Sequence, residues 1–393
     1  MSFSKTADIL IIGGGIIGLT LAGSLRKKGV EKIIIIEKNY TCGAEASSAA
    51  AGMLAPQSEA NCADDFFRFC SQSRDLYPNF AAELFEETGV DVELDQSGTL
   101  YLAFSENDSK EIGERFEWQK KVDFPVEFLS AQDARKVEPF ISPDVREALF
   151  FPNDWQVENR KLLGALEKFA ELNGIEIFVG SEVKKLLLRK GTFVEDSKVL
   201  GAETSEGQFF ADTIVLATGA WTSLINNFTV ADSEHIIGGL PTIRPIRGQM
   251  ICFKPKNRLF SKVIYSPRGY IVPRGDGRIL AGATVEDVGF DKSVTQSGVE
   301  FLRRNSTEIS PILANLEIYD KWSGLRPRTA DGLPKFGTLS ASYKNLFLAT
   351  AHYRNGILLA PLTAKILADK IVDDVDSEYL EIFSTHRYYK RKP

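Results

Sequence analysis

DILIIGGGIIGLTLAGSLRKKG, residues 8–29, decides how this chain folds. Residues 8–12 form a short apolar run that stops at GGGIIG. The following LTLAGSLRKKG has helical spacing and ends on Gly29, the residue type that closes helices most cheaply. KIIIIEKN comes next and reads as a second strand. Strand, turn, helix and strand, with both strands apolar throughout, is the pattern of a parallel sheet covered on two faces.

Within this unit Gly13, Gly15 and Gly18 spell GxGxxG, and Glu37 closes the next strand. The glycines allow a tight turn and let backbone N–H groups approach a pyrophosphate at a helix N-terminus. The carboxylate suits ribose hydroxyls. NAD and FAD both use this fingerprint. ASSAAAGML, residues 46–54, has almost no side-chain bulk before Met53, so its main chain is able to lie against a large flat ligand. That favours a flavin.

Composition narrows the field further. The chain has 393 residues, 44% of them hydrophobic, enough for two domains with substantial cores. Its formal net charge of −6, with acids and bases interleaved, argues against a nucleic-acid partner. The four cysteines (Cys42, Cys62, Cys70, Cys252) form no CxxC pair, and the three histidines (His235, His352, His386) cannot assemble a zinc-type site by spacing. A reducing cytoplasm fits that usage. Ile9 to Leu25 is uncharged but is interrupted by glycines and too short to span a bilayer, so no stable membrane association is expected.

Further along, the character changes. From Glu83 to about Phe151 the chain alternates charged helical stretches such as SENDSKEIGERFEWQKK with GTLYLAF-type strands. Sheet signals that rejoin the first domain return in GIEIFVGSEVKKLLL and DTIVLATGAW, and a block from Pro241 to about Asp320 holds GQMICF, GYIVPR and RILAGAT. NLFLATAHYRNGILLAPLTAKILADKIV then supplies a strand, a loop and a long helix. The expected architecture is α/β: a Rossmann-like nucleotide domain (residues 1–82, 152–235 and 325–393) interleaved with an α+β substrate domain (83–151 and 236–324). In WSGLRPRTADG, residues 322–332, two arginines flank a proline among small and apolar neighbours, which is tolerable only if an anion or water meets them.

These residues resemble the D-amino acid oxidase superfamily of flavoproteins, and within it the glycine oxidases of thiamin thiazole biosynthesis. GGGIIGL (13–19), SSAAAGMLAP (47–56), ATGAW (217–221), GYIVPR (269–274), GATVEDVGFD (282–291), WSGLRPRTADGLP (322–334) and HYRNGILLAP (352–361) carry the likeness, in matching order over nearly the whole chain. The resemblance implies non-covalent FAD. It assigns the dinucleotide to Gly13, Gly15, Ile16, Ile17, Gly18, Glu37 and Lys38, and the flavin side to Ala46, Ser47, Ala51, Gly52 and Met53. Val183 is placed by the adenine, Gly219 on the cofactor, and His352, Tyr353, Arg354, Asn355, Gly356, Ile357 and Leu358 against the isoalloxazine. Sarcosine oxidases of the superfamily attach flavin through a cysteine; all four cysteines here lie outside the two C-terminal motifs.

The same resemblance implies that Arg326, Tyr270 and Arg354 face the substrate, with Arg326 as the principal clamp for an amino-acid carboxylate, whose geometry a guanidinium matches bidentately. Arg328 has no such counterpart and reads as peripheral. Glu286, Asp287 and Asp331 are acids inside the matched substrate segments, and the family does not use them as bases. Direct hydride transfer from the α-carbon fits that absence. Gly356 opens the last long helix, whose dipole would favour an anionic reduced ring. Where some relatives carry histidine and methionine, this chain has Arg268 and Val285, leaving glycine, sarcosine and small D-amino acids all open as substrates. Oxygen is the implied acceptor and a homotetramer the implied assembly. A dehydrogenase reducing a quinone, or a flavin-binding module without turnover, are the rival readings.

Overall fold

The computed structural model describes residues 3–189, 198–227, 240–340, 343–385 and 387. The opening stretch folds as its pattern requires: β1 (Phe3–Ile12), α1 (Ile16–Lys27), β2 (Ile33–Ile36). Glycine at 29, with φ +88°, takes the left-handed conformation beyond the end of α1. Five parallel strands form the centre of the first sheet, in the order Glu176–Phe178, β2, β1, Gly207–Leu216 and Tyr343–Thr350. Lys335–Ser340 joins antiparallel at the edge.

Alternation along the strands sorts their side chains to two faces. Ile9, Ile11, Ile33, Ile35 and Val215 pack under α1, the helix Asn159–Leu172 and the C-terminal helix Gly356–Asp373. Leu10, Ile12, Ile34, Ile36, Ile214 and Leu216 face Val183, Leu186 and Val199 of an antiparallel ribbon, Val183–Arg189 with Lys198–Thr204. One face is therefore covered by helices and the other by strands.

The second sheet has eight strands in the order Ile318–Arg328, Arg244–Phe253, Ile279–Gly282, Gly269–Pro273, Val263–Ser266, Thr99–Ala103, Glu147–Phe151 and Glu127–Ser130. The strand Ile318–Arg328 runs through the expected domain junction at 324/325. The helix Tyr77–Thr88 runs through the one at 82/83 and packs Leu84 into the core of the first sheet. The charged stretch after Ser105 is the helix Glu106–Lys121, opened by a capping box in which Ser105 and Asp108 exchange side-chain and backbone bonds.

Between the sheets lies a connection that shapes the site: α2 (Ala46–Ala49), β3 (Met53–Leu54) and α3 (Pro56–Glu59). β3 pairs with Trp155–Gln156. Arg274, fully buried, donates to the carbonyl of Ala51 (2.9 Å), the carbonyl of Val157 (2.9 Å), Gln156 Oε1 (3.0 Å) and Asn159 Oδ1 (3.0 Å). Its charge is answered by Glu158, 3.3 Å away. No helix among the described residues is long and apolar enough to cross a membrane.

Candidate active site

One continuous cleft is lined at one end by Glu37, Lys38 and Val183, in the middle by the N-terminus of α1 and the α2–β3 connection, and at the other end by Tyr270, Arg326 and residues 351–357. It collects Gly13, Gly15, Ile16, Ile17, Ala46, Ser47, Ala51, Gly52, Met53, Gly219, His352, Tyr353, Arg354, Asn355, Gly356 and Ile357 as well. Gly18 and Leu358, expected among them, are not on the wall. A Cβ at Gly18 would strike the carbonyl oxygen of Gly13, so this glycine serves the close packing of helix on turn. Leu358 is in the core, its carbonyl accepting from Ser73 Oγ at 2.7 Å.

The nucleotide end is shaped for a ligand's close approach. At Gly15 the nearest atom to an added Cβ is Ser47 Oγ at 3.4 Å, and at Gly219 (φ +53°) nothing lies within 4 Å, so both leave bare backbone facing the cleft. The N–H of Ile16 donates to Ser47 Oγ (3.0 Å) at the helix mouth, where an anion would be stabilised. Glu37 is buried and rigid: Oε2 accepts from the N–H of Gly14 (2.9 Å), Oε1 from the N–H (2.8 Å) and side chain (2.7 Å) of Asn39. Lys38 sits 3.3 Å above the Trp221 ring, and burial lowers its pKa against the opposing pull of Glu45.

The small residues at 46–54 do what their lack of bulk permits. Gly324 admits α2 so closely that a Cβ there would lie 2.5 Å from that of Ala49. Trp322 Nε1 donates to the Ala49 carbonyl at 3.0 Å. A bare-backbone wall of this kind, continuous with the glycine turn and the α1 mouth, fits FAD, whose nucleotide Glu37, Lys38 and Val183 could hold and whose ring Ala46–Met53 and His352–Ile357 could hold.

At the far end, the Arg326 guanidinium lies over Gly248, where a Cβ would overlap it, and donates to the carbonyl of Thr284 at 3.0 Å. Among the described residues no carboxylate pairs with it. Tyr270 is 7% exposed; its hydroxyl donates to the Met250 thioether, 3.3 Å away, and also meets the Arg326 guanidinium. Burial raises its pKa against the pull of Arg326 and Arg354, so it is a neutral donor. Arg354 donates to Tyr265 Oη (3.2 Å) and faces Glu59 Oε1 at 3.5 Å. The Glu59 carboxylate strengthens its hold on its proton further.

His352 is buried, meets Thr363 Oγ1 at 3.1 Å and stacks on Phe336; burial pushes its pKa down to about 3. It is a neutral ring in a strained loop, since Ala351 (φ 61°) and Tyr353 (φ 48°) on either side are both left-handed without being glycine. Arg328 is exposed and stacks over Tyr353, outside the cleft. Glu286 is bound by Arg247 (2.5 and 3.2 Å) and Gln249 (2.7 Å), Asp287 faces Arg244, and Asp331 pairs with Arg387 at 2.6 Å. None of the three lines the cleft, and neither does any of the four cysteines. His235 and His386 lie outside the described residues.

Glu59, Tyr265 and Trp221 escaped the sequence reading. Tyr265 was within reach of it: VIYSPRGYIVP is a hairpin whose register sets Tyr265 opposite Tyr270. Glu59 had no such signal, because its four-residue helix is too short for periodicity.

A glycine fingerprint at a parallel sheet, a bare wall for a flat ring, and an unpaired guanidinium beside a buried phenol define a flavoprotein of the two-domain oxidoreductase type. Residues 8–370 match the family of FAD dependent oxidoreductases, and the chain belongs to that family. FAD is accordingly its cofactor. The chain is 33% identical over 383 residues to the glycine oxidase of Geobacillus kaustophilus, covering 97% of both. The solved structure of that enzyme superposes with a TM-score of 0.89 at 32% identity, over 98% of this chain and 99% of that one. The bifunctional ThiO/ThiG protein of Trichormus variabilis is 35% identical over 391 residues, 98% of this chain but 56% of the relative. The chain thus spans about half the length of that bifunctional relative.

Proposed function

We propose that the chain oxidises glycine and similar small amines such as sarcosine and small D-amino acids, releasing an imine that hydrolyses to the corresponding carbonyl acid and amine, glyoxylate and ammonia in the case of glycine. The single observation that carries this is Arg326: a guanidinium on the cleft wall with no carboxylate partner among the described residues, in contact with the hydroxyl of Tyr270. An amino-acid carboxylate supplies what both lack. Full-length likeness to a glycine oxidase supports the substrate, and likeness to a ThiO/ThiG protein supports a role in supplying thiazole synthesis.

FAD held along this cleft would supply an acceptor for the α-carbon hydride and a route for the two electrons to oxygen, giving hydrogen peroxide. The chain's own part is placement. Arg326 and Tyr270 fix the carboxylate, so the α-carbon is presented in one orientation. A neutral His352, a Glu59 held on Arg354, and tyrosines kept protonated by burial leave the substrate end without a ready base, as hydride transfer permits. The N-terminus of Gly356–Asp373 opens on the same cleft and favours negative charge there.

On this reading the enzyme works in the cytoplasm, and its partners are the amine and oxygen; a homotetramer is proposed from family likeness alone. The test is a panel of glycine, sarcosine and D-alanine given to the yellow holoenzyme in air. Stoichiometric peroxide and glyoxylate from glycine are expected. A flavin that stays oxidised when glycine is added without air would refute the proposal.

A further inference from the structure

α3, only four residues long, is more heavily anchored than its size requires. Asp154, fully buried, accepts from the N–H groups of Gln57 (3.0 Å) and Ser58 (2.6 Å) and from Ser58 Oγ (2.6 Å). Arg115, buried from the other side, donates to the carbonyls of Gln57 and Ser58 (3.2 Å each) and of Ala60. Removing two ions from water is costly, and neither Asp154 nor Arg115 reaches the cleft. What the anchored turn delivers there is Glu59.

Glu59 faces Arg354, and Arg354 also holds Tyr265, whereas Arg326 meets the Thr284 carbonyl and the Tyr270 hydroxyl and no carboxylate among the described residues. This substrate end therefore carries two guanidinium groups and one carboxylate, and a single negative charge balances it. We propose that Glu59 is a specificity-determining residue: by pairing with Arg354 it reserves the cleft for amines with one carboxylate, received at Arg326, and turns away those with two. This rests on the reading of the cleft as a small-amine oxidase site. A second carboxylate drawn to Arg354 would come within about 5 Å of Glu59. At an effective dielectric constant of about 20, discounted for the partial exposure of the pair, that repulsion is worth about tenfold to a hundredfold in affinity. Such discrimination by repulsion is a common source of specificity.

The experiment compares wild-type holoenzyme with Glu59→Gln. Glycine and iminodiacetate serve as substrates, scored by peroxide. Glycolate and diglycolate serve as non-reacting ligands, scored by the flavin absorbance change on binding. In Glu59→Gln the iminodiacetate-to-glycine ratio of kcat/KM and the diglycolate-to-glycolate ratio of affinities should each rise about tenfold to a hundredfold. Adding Arg354→Gln should abolish the gain. Ratios within twofold of wild type, in a variant with wild-type FAD content and Tm, overturn the proposal. Should Glu59→Gln fail to retain FAD, Glu59→Asp, which withdraws the charge by one methylene, must still raise both ratios at least threefold or the proposal falls. The binding arm needs no turnover. Failure of wild type to oxidise glycine, with normal ligand binding, would therefore sink the functional reading and leave the role of Glu59 separately decided.

Discussion

Removing the Arg326 guanidinium should weaken glycine binding far more than it harms the protein. It donates to the Thr284 carbonyl at 3.0 Å and meets the Tyr270 hydroxyl, and among the described residues no acid pairs with it, so Arg326→Ala breaks no ion pair there. The loss falls on the substrate. Deleting one partner of a desolvated, hydrogen-bonded charge pair costs about 2–5 kcal/mol, or about 30-fold to 4,000-fold in affinity. Arg326→Lys keeps the charge but loses the fork, and should recover only part of this. The assay is peroxide production against glycine concentration at matched FAD content, with glycolate binding measured by flavin absorbance. As a control, the oxidation of an amine without a carboxylate should fall much less. A glycine KM within twofold of wild type in a fully flavinated Arg326→Ala protein would refute the assignment of Arg326 as the carboxylate clamp.

Gly248→Ala should imitate that loss from the neighbouring strand, because a Cβ at 248 would overlap the guanidinium; glycine KM should rise at least tenfold with FAD affinity unchanged. Glu37→Gln should weaken FAD binding by about tenfold or more, measured by fluorescence titration of apoprotein, as charge-assisted bonds from Gly14 and Asn39 become neutral ones. His352 sets an acid-side stability limit. Its folded pKa is depressed to about 3, so below an unfolded value near 6.5 the unfolded chain binds a proton that the folded chain refuses, and stability falls as pH drops through that window. Between pH 7 and pH 5 wild type should lose about 2 kcal/mol more than His352→Gln in urea titrations. Equal losses would show that the imidazole titrates freely.

How much of this could be read from sequence depended on whether the signal was local. The β1–α1–β2 unit is written in adjacent residues, and apolar strands bounded by a glycine turn have few other ways to bury themselves. What covered the two faces was not local. Leu10 and Ile12 meet Val183, Leu186 and Val199 of a ribbon far along the chain, and a run of isoleucines says nothing about whether helix or strand lies above it. The same distinction holds in the site. Arg326 and Tyr270 stand in motifs that a family likeness recovers, but whether Arg326 is unpaired depends on every acid that the fold brings near it. Glu59 owes its place to Asp154 and Arg115, which are distant in sequence and silent as motifs.

On the proposed reading, the strand Ile318–Arg328 would register cofactor and substrate to each other. Residues two apart share a face. Trp322 on that face holds the Ala49 carbonyl, Gly324 admits the α2 backbone, and Arg326 comes last, among the cleft residues beside Tyr270. Arg328 continues the alternation but lies at the strand's end, exposed over Tyr353, which is why the two arginines flanking Pro327 have different fates. The wall on which the ring would rest and the cation that would hold the carboxylate are thus spaced by strand geometry, about 3.3 Å per residue, rather than by a loop. On the proposed reading, substrate carbon and ring would be held at a fixed separation by one rigid element, the condition a hydride transfer over a short distance needs. A shift of this strand's register by a single residue would turn Arg326 to the opposite face, away from Tyr270.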